Sequence, residues 1–300
     1  MLKTRTSGFL LTVSTALILC AVMIGCDDPK PADANPAMNT SKDSAEEARI
    51  KELQKIFFSI PSPVEMASLI KENGYSFDKG VLSPTSSVDK FTGEARQAIN
   101  LGIYGADLSY AAIFDQKQVT MEYFASAQKL AKQMGVDGAL TSELIERLDK
   151  NQENRDSLLA VVSEAYADLN GYLKENKRIE ISALVVAGGW LEALYLSTLY
   201  CDKNEDMVQR IAEQKYALNN LVDYFEKFGD RPNLSEMKAD LNAIKEIYNA
   251  SNETKGKTSV SKDSNGTVVI GSTNNVSISP ETLKQIATKA QELRKKYITA

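Results

Sequence analysis

The chain contains no histidine. That absence removes the Ser-His-Asp and Cys-His nucleophile arrangements, His-ligated zinc, and the one side chain that titrates near neutrality unaided. Cysteine is nearly as scarce, with three residues in 300, and they are not spaced as a paired-cysteine metal site. No phosphate-cradling glycine loop and no nucleophile elbow is present. With 16 Gly, 8 Pro and 7% aromatics, the chain is neither collagen-like nor broadly low in complexity. Positive charge is in deficit, 35 Lys and Arg against 40 Asp and Glu, and the net of −5 makes nucleic acid and anionic lipid surfaces poor partners.

What is present favours helix. Hydrophobic residues make up 43% of the chain and charged residues 25%, enough to bury a sizeable core, and Ala, Leu, Lys, Glu and Gln are the common helix formers. At the start, Lys3 and Arg5 precede a charge-free run over residues 8–24, which has the length and flanks of a secretory signal.

The run ends Met23-Ile24-Gly25-Cys26, which resembles the lipobox of bacterial lipoproteins. The resemblance implies a signal peptide over residues 1–25 and diacylation of Cys26, which becomes the first residue of the mature chain and its membrane anchor. It also implies export to a bacterial cell envelope. Met23 departs from the leucine usual at that position. Residues 26–44 then read as a proline-bearing, solvated tether. With Cys26 acylated, Cys201 is the only thiol of the mature chain, so no intramolecular disulfide forms and packing alone must hold the fold. Cys201 follows an apolar helix and reads as a small buried hydrophobe.

Residues 45–250 show helical periodicity throughout, and the expected fold is an all-α, antiparallel multi-helix bundle. Ile50, Leu53, Phe57 and Ile60 form one stripe. Further helices are expected over 64–73, 89–115, 118–134, 141–150, 155–176, 179–201, 205–228 and 234–249, joined by short connections that make neighbours antiparallel. Residues 75–88 read as a loop. Two segments, 97–114 and 183–201, are apolar nearly all round and should be central. Each holds two glycines, Gly102 and Gly105 in one, Gly188 and Gly189 in the other. A mid-helix glycine costs about 1 kcal/mol against alanine, so four of them point to close approach of the two backbones.

Ser, Thr, Asn and Gly dominate residues 251–279. Thr258 to Lys262 and Thr267 to Ile270 are β-branched runs flanking an Asn265-Gly266 turn, the pattern of a small β-hairpin insertion. Residues 280–300 form a last helix with Ser279 as N-cap and Pro280 at N1. Its basic end, Arg294, Lys295 and Lys296, suits the negative pole of its own dipole.

The candidate chemistry lies in two acids on the apolar helices. Glu192 and Asp107 lack local polar partners, and a buried unpaired carboxylate is costly and rises in pKa. If the glycine-bearing helices pack together, these acids could converge with Tyr110, Trp190 and Tyr195 to bind a cation or small ligand. The bland alternative is that each acid reaches a Lys, Arg or tyrosine hydroxyl of a neighbouring helix. Asp202-Lys203-Asn204-Glu205-Asp206 with Glu213 copies several positions of a calcium loop, but Met207 stands where glycine belongs, so Asp202 or Asp206 reads as a helix cap. Asp156-Ser157 reads as the cap of the helix at 155.

No catalytic residue, metal site or cofactor is indicated. In pattern the body resembles the all-helical lipoproteins of bacterial envelopes, which brings no activity with it. The expected role is a binding or scaffolding module of the envelope, held to the membrane by the lipid on Cys26 and able to meet an envelope protein partner. A receptor built on Asp107 and Glu192 is the alternative, and an enzyme using two carboxylates comes third.

Overall fold

The computed structural model describes Lys51 and residues 63–299, apart from short stretches at 152–153, 202–203, 228–230, 255–257, 263–267 and 273–274. Cys26, the signal segment, the tether and most of the stripe over 45–60 lie outside the described residues, as do Asp202 and the Asn265-Gly266 turn.

Nine α-helices make up the described body: α1 (Pro63–Glu72), α2 (Glu94–Ile113), α3 (Lys117–Gln133), α4 (Ser142–Lys150), α5 (Arg155–Glu175), α6 (Ile179–Leu199), α7 (Glu205–Lys227), α8 (Pro232–Tyr248) and α9 (Pro280–Ile298). The fold is an all-α bundle with one small strand element, in the place the turn residues and β-branched runs foretold. Strands β1 (Asn252–Thr254), β2 (Thr258–Lys262), β3 (Val268–Ser272) and β4 (Asn275–Ser277) pair antiparallel, β2 with β3 and β1 with β4.

Helices α2 and α6 form the centre. From Ala98 to Ile113, every residue of α2 is buried, as are most of α6. Helix α6 is long and apolar enough to cross a membrane by composition, yet here it is the enclosed core helix of the bundle. The glycines explain how the two lie so close. A Cβ on Gly102 would fall 2.0 Å from the carbonyl oxygen of Val185, and one on Gly188 would fall 2.1 Å from that of Ile99. Gly105 serves a different contact, because its missing Cβ leaves room for the Tyr166 hydroxyl from α5. Around this pair α1, α3, α5, α7 and α9 each lay an apolar face on α2 or α6, and α8 bridges α7 to α9.

The caps differ in two places from expectation. Asn204, not Asp206, caps α7, its Oδ1 accepting from the backbone N–H of Met207 at 2.9 Å. Asn154, not Asp156, caps α5, accepting from Ser157 N–H at 3.0 Å. Asn154 has the extended backbone an N-cap needs, and Asp156 and Asp206 already lie in the first turns of their helices. Ser279 caps α9 as expected, accepting from Thr282 N–H at 3.0 Å. Cys201 is buried, its thiol donating to the carbonyl of Thr198 at 3.2 Å.

Candidate functional site

Asp107 on α2 and Glu192 on α6 are both fully buried, and their carboxyl groups lie within hydrogen-bonding reach of each other. The same close approach that the glycines permit sets these acids side by side. A third charge answers them. Arg294 of α9, 8% exposed, places its Nε 2.9 and 2.7 Å from the two oxygens of Glu192. Its Nη2 donates to the carbonyl of Val81 at 2.8 Å and to Ser83 Oγ at 3.0 Å. The guanidinium also lies over the ring of Tyr195, 4.2 Å from its centroid, in cation–π contact.

Ser83 ties the loop before α2 into this cluster. Its backbone N–H donates to Asp107 Oδ2 at 3.0 Å, while its carbonyl accepts from Tyr123 OH at 2.5 Å. Tyr104 OH donates to the next carbonyl, that of Pro84, at 3.0 Å. Oδ1 of Asp107 receives no donor. Two carboxyls against one guanidinium carry an excess negative charge in an apolar interior, and one proton removes it. Burial, and after it the charge of Glu192, pushes the Asp107 carboxyl well above the usual carboxylate range. For Arg294, burial works against the charge, but Glu192 and Asp107 outweigh it and the net shift is upward. Burial, with the charge of Asp107 behind it, also drives the phenols of Tyr104 and Tyr123 far up, so both stay neutral donors.

The other two expected members lie elsewhere. Tyr110 joins an aromatic cluster with Phe77, Phe114 and Tyr200; its hydroxyl is 2.7 Å from that of Tyr200 and accepts from the N–H of Asp78 at 3.3 Å. Trp190 turns to the opposite side of α6, where its Nε1 donates to Gln214 Oε1 of α7 at 3.0 Å.

Arg294 is the residue that sequence reasoning misplaced. It does not serve the helix dipole at a solvated end; it points inward. The signal was available, since Arg294 follows Ala290 by four residues and precedes Tyr297 by three, which puts it on the buried face with Ile286 and Leu293.

Trp190 marks a second feature. A crevice of about 220 Å3 opens between α5 and α6, closed at one end by Pro63 and Val64 of α1. Its walls are apolar, with Tyr166, Leu173, Val185 and Trp190 prominent, and none of its lining residues is charged. Ser163, Tyr166, Asn170 and Ser182 supply polarity; the hydroxyl of Ser182 donates to Asn170 Oδ1, while that of Tyr166 is buried without a partner among the described residues. Neither Asp107 nor Glu192 lines it.

Comparison with protein-family models, curated proteins and solved structures finds no match. A functional reading therefore rests on the geometry of this chain.

Proposed function

We propose that this protein is a lipid-anchored binding module of a bacterial cell envelope whose helical body holds a small molecule in the crevice between α5 and α6. The observation that carries the reading is the crevice itself: a concave, largely apolar space with a polar pair in its wall, set between the helices of a bundle, where ligand sites are commonly built. The acids favour binding over catalysis. Glu192 is held by Arg294, and neither Glu192 nor Asp107 lines the crevice, so neither carboxyl meets a molecule bound there. The lipobox-like Met23-Ile24-Gly25-Cys26 supports export and anchoring through Cys26.

Trp190 is the only tryptophan in the chain and lines the crevice, so it reports directly on occupancy. The full chain reconstituted in phosphatidylcholine vesicles, titrated with the uncharged probe N-phenyl-1-naphthylamine, should show saturable quenching of Trp190 by energy transfer. Val186→Phe, which fills the mouth, should remove it. Quenching that never saturates, or that survives Val186→Phe, sinks the binding site. Anchoring is tested separately by mass spectrometry: the mature protein should carry lipid on Cys26, and Cys26→Ala should release it to the soluble fraction.

A further inference from the structure

Tyr166 stands between two apolar spaces. It walls the crevice, and with Leu169 it also walls a smaller space of about 40 Å3 on the inner side of α5, closed by Leu101 and Leu108 of α2 and Phe124 of α3. Its hydroxyl ends in the notch at Gly105, where a Cβ would fall 1.7 Å from it, and it is buried with no hydrogen-bond partner among the described residues. Ser109, one turn further along α2, gives its own proton to the Gly105 carbonyl at 2.9 Å. A stranded phenol is unfavourable, and phenylalanine would fill the same place without stranding a donor. The glycine that makes the notch is unfavourable too, since it weakens a helix interior relative to alanine. Packing stability therefore explains neither residue. Both are explained if the ring has a second position: no hydrogen bond holds it in the notch, and a swing toward the exposed Ser163 at the crevice rim gives its hydroxyl water.

We infer that Tyr166 is a two-position gate between these spaces, and that the trough it opens takes a single unbranched hydrocarbon chain; this rests on the crevice-binding reading above. The smaller space decides for a chain. Benzene occupies a cavity of ~150 Å3, so no ring enters a space of about 40 Å3, whereas a run of methylenes does. Scaled from the same cavity, the crevice alone holds about nine non-hydrogen atoms, the size of 1-octanol. A longer chain needs the place of the Tyr166 ring and the space beyond it.

The probes are 1-octanol and 1-dodecanol, each displacing N-phenyl-1-naphthylamine from Trp190 of the full chain in phosphatidylcholine vesicles, with affinities referred to the free aqueous alcohol. On the native chain dodecanol should bind at least roughly tenfold more tightly than octanol, since each methylene buried beyond the divide adds up to about fourfold. Tyr166→Phe removes the reason for the ring to leave the notch. It should weaken dodecanol roughly fivefold, the worth of one neutral hydrogen bond, and leave octanol unchanged. Gly105→Ala expels the hydroxyl from the notch and should tighten dodecanol by a similar factor. Dodecanol binding no better than octanol, or a preference that Tyr166→Phe does not move, overturns the gate and the chain while leaving a crevice binder standing. If the naphthylamine itself fails to quench Trp190 saturably, the binding reading falls and the gate with it. Should Gly105→Ala not fold, Tyr166→Phe decides alone.

Discussion

The guanidinium of Arg294 grips both oxygens of Glu192 through a single nitrogen, at 2.9 and 2.7 Å, across 102 residues of chain. It thereby fastens the C-terminal helix α9 to the core helix α6. The pair is buried on both sides, and Nη2 of Arg294 donates to Val81 and Ser83, so the loop before α2 is fastened by the same group. Desolvating two charges offsets much of their attraction, so the contact contributes more to fixing where α9 docks than to net stability.

Removing one partner should therefore be far worse than removing both. Arg294→Met leaves Glu192 charged and unanswered, and a loss of about 3–5 kcal/mol is expected. The double variant Arg294→Met, Glu192→Leu should recover most of that loss. Urea unfolding of the four proteins of this cycle gives the coupling directly; additive losses would mean the two side chains do not meet.

Asp107 should make stability fall as pH rises. Its carboxyl pKa is raised in the folded state, so the folded chain holds a proton that the unfolded chain has released. The contribution is complete below the unfolded value of about 4 and drains away as pH climbs toward the folded value, at up to about 1.4 kcal/mol per unit. Asp107→Asn keeps an acceptor for Ser83 N–H and a donor toward Glu192 without the charge. Unfolding midpoints measured from pH 5 to 8 should decline less for Asp107→Asn than for the native chain, and the variant should be the more stable at pH 8.

Glycines of the same helical setting should respond with opposite signs. Gly102→Ala drives a Cβ into the Val185 carbonyl and must push α2 from α6, an overpacking that costs on the order of 1–3 kcal/mol. Gly171→Ala in α5 meets nothing within 4 Å and gains helix propensity, up to about 1 kcal/mol. Thermal unfolding of the two variants should shift in opposite directions.

The indole of Trp190 is 2% exposed and donates to Gln214. Native emission should be blue-shifted and should move to the red on unfolding. Gln214→Leu strands the indole N–H and should cost about 1–3 kcal/mol in urea unfolding; a neutral result would mean the N–H finds another acceptor.

The helices themselves were legible because their determinants are local. Apolar spacing marked α1 to α9, Ser279-Pro280 marked the start of the last, and β-branched runs marked the hairpin. All-round apolarity picked out the central pair, and the glycines Gly102 and Gly188 announced their contact, since a missing Cβ has few other uses inside a buried helix. Cap positions were off by one or two residues because several polar side chains compete there and only the backbone conformation chooses among them.

Sequence by itself thus determined the class of fold, the identity of its core helices and the two acids that could not remain unanswered. Which group would answer them was decided only in three dimensions. Arg294 lies beyond the hairpin, and nothing in local spacing says that α9 folds back onto α6 or that the Ser83 loop meets it there. The crevice beside Trp190 is likewise a property of how α5 lies against α6, set by helix crossing and by the volumes of side chains far apart in the chain, which no local pattern encodes.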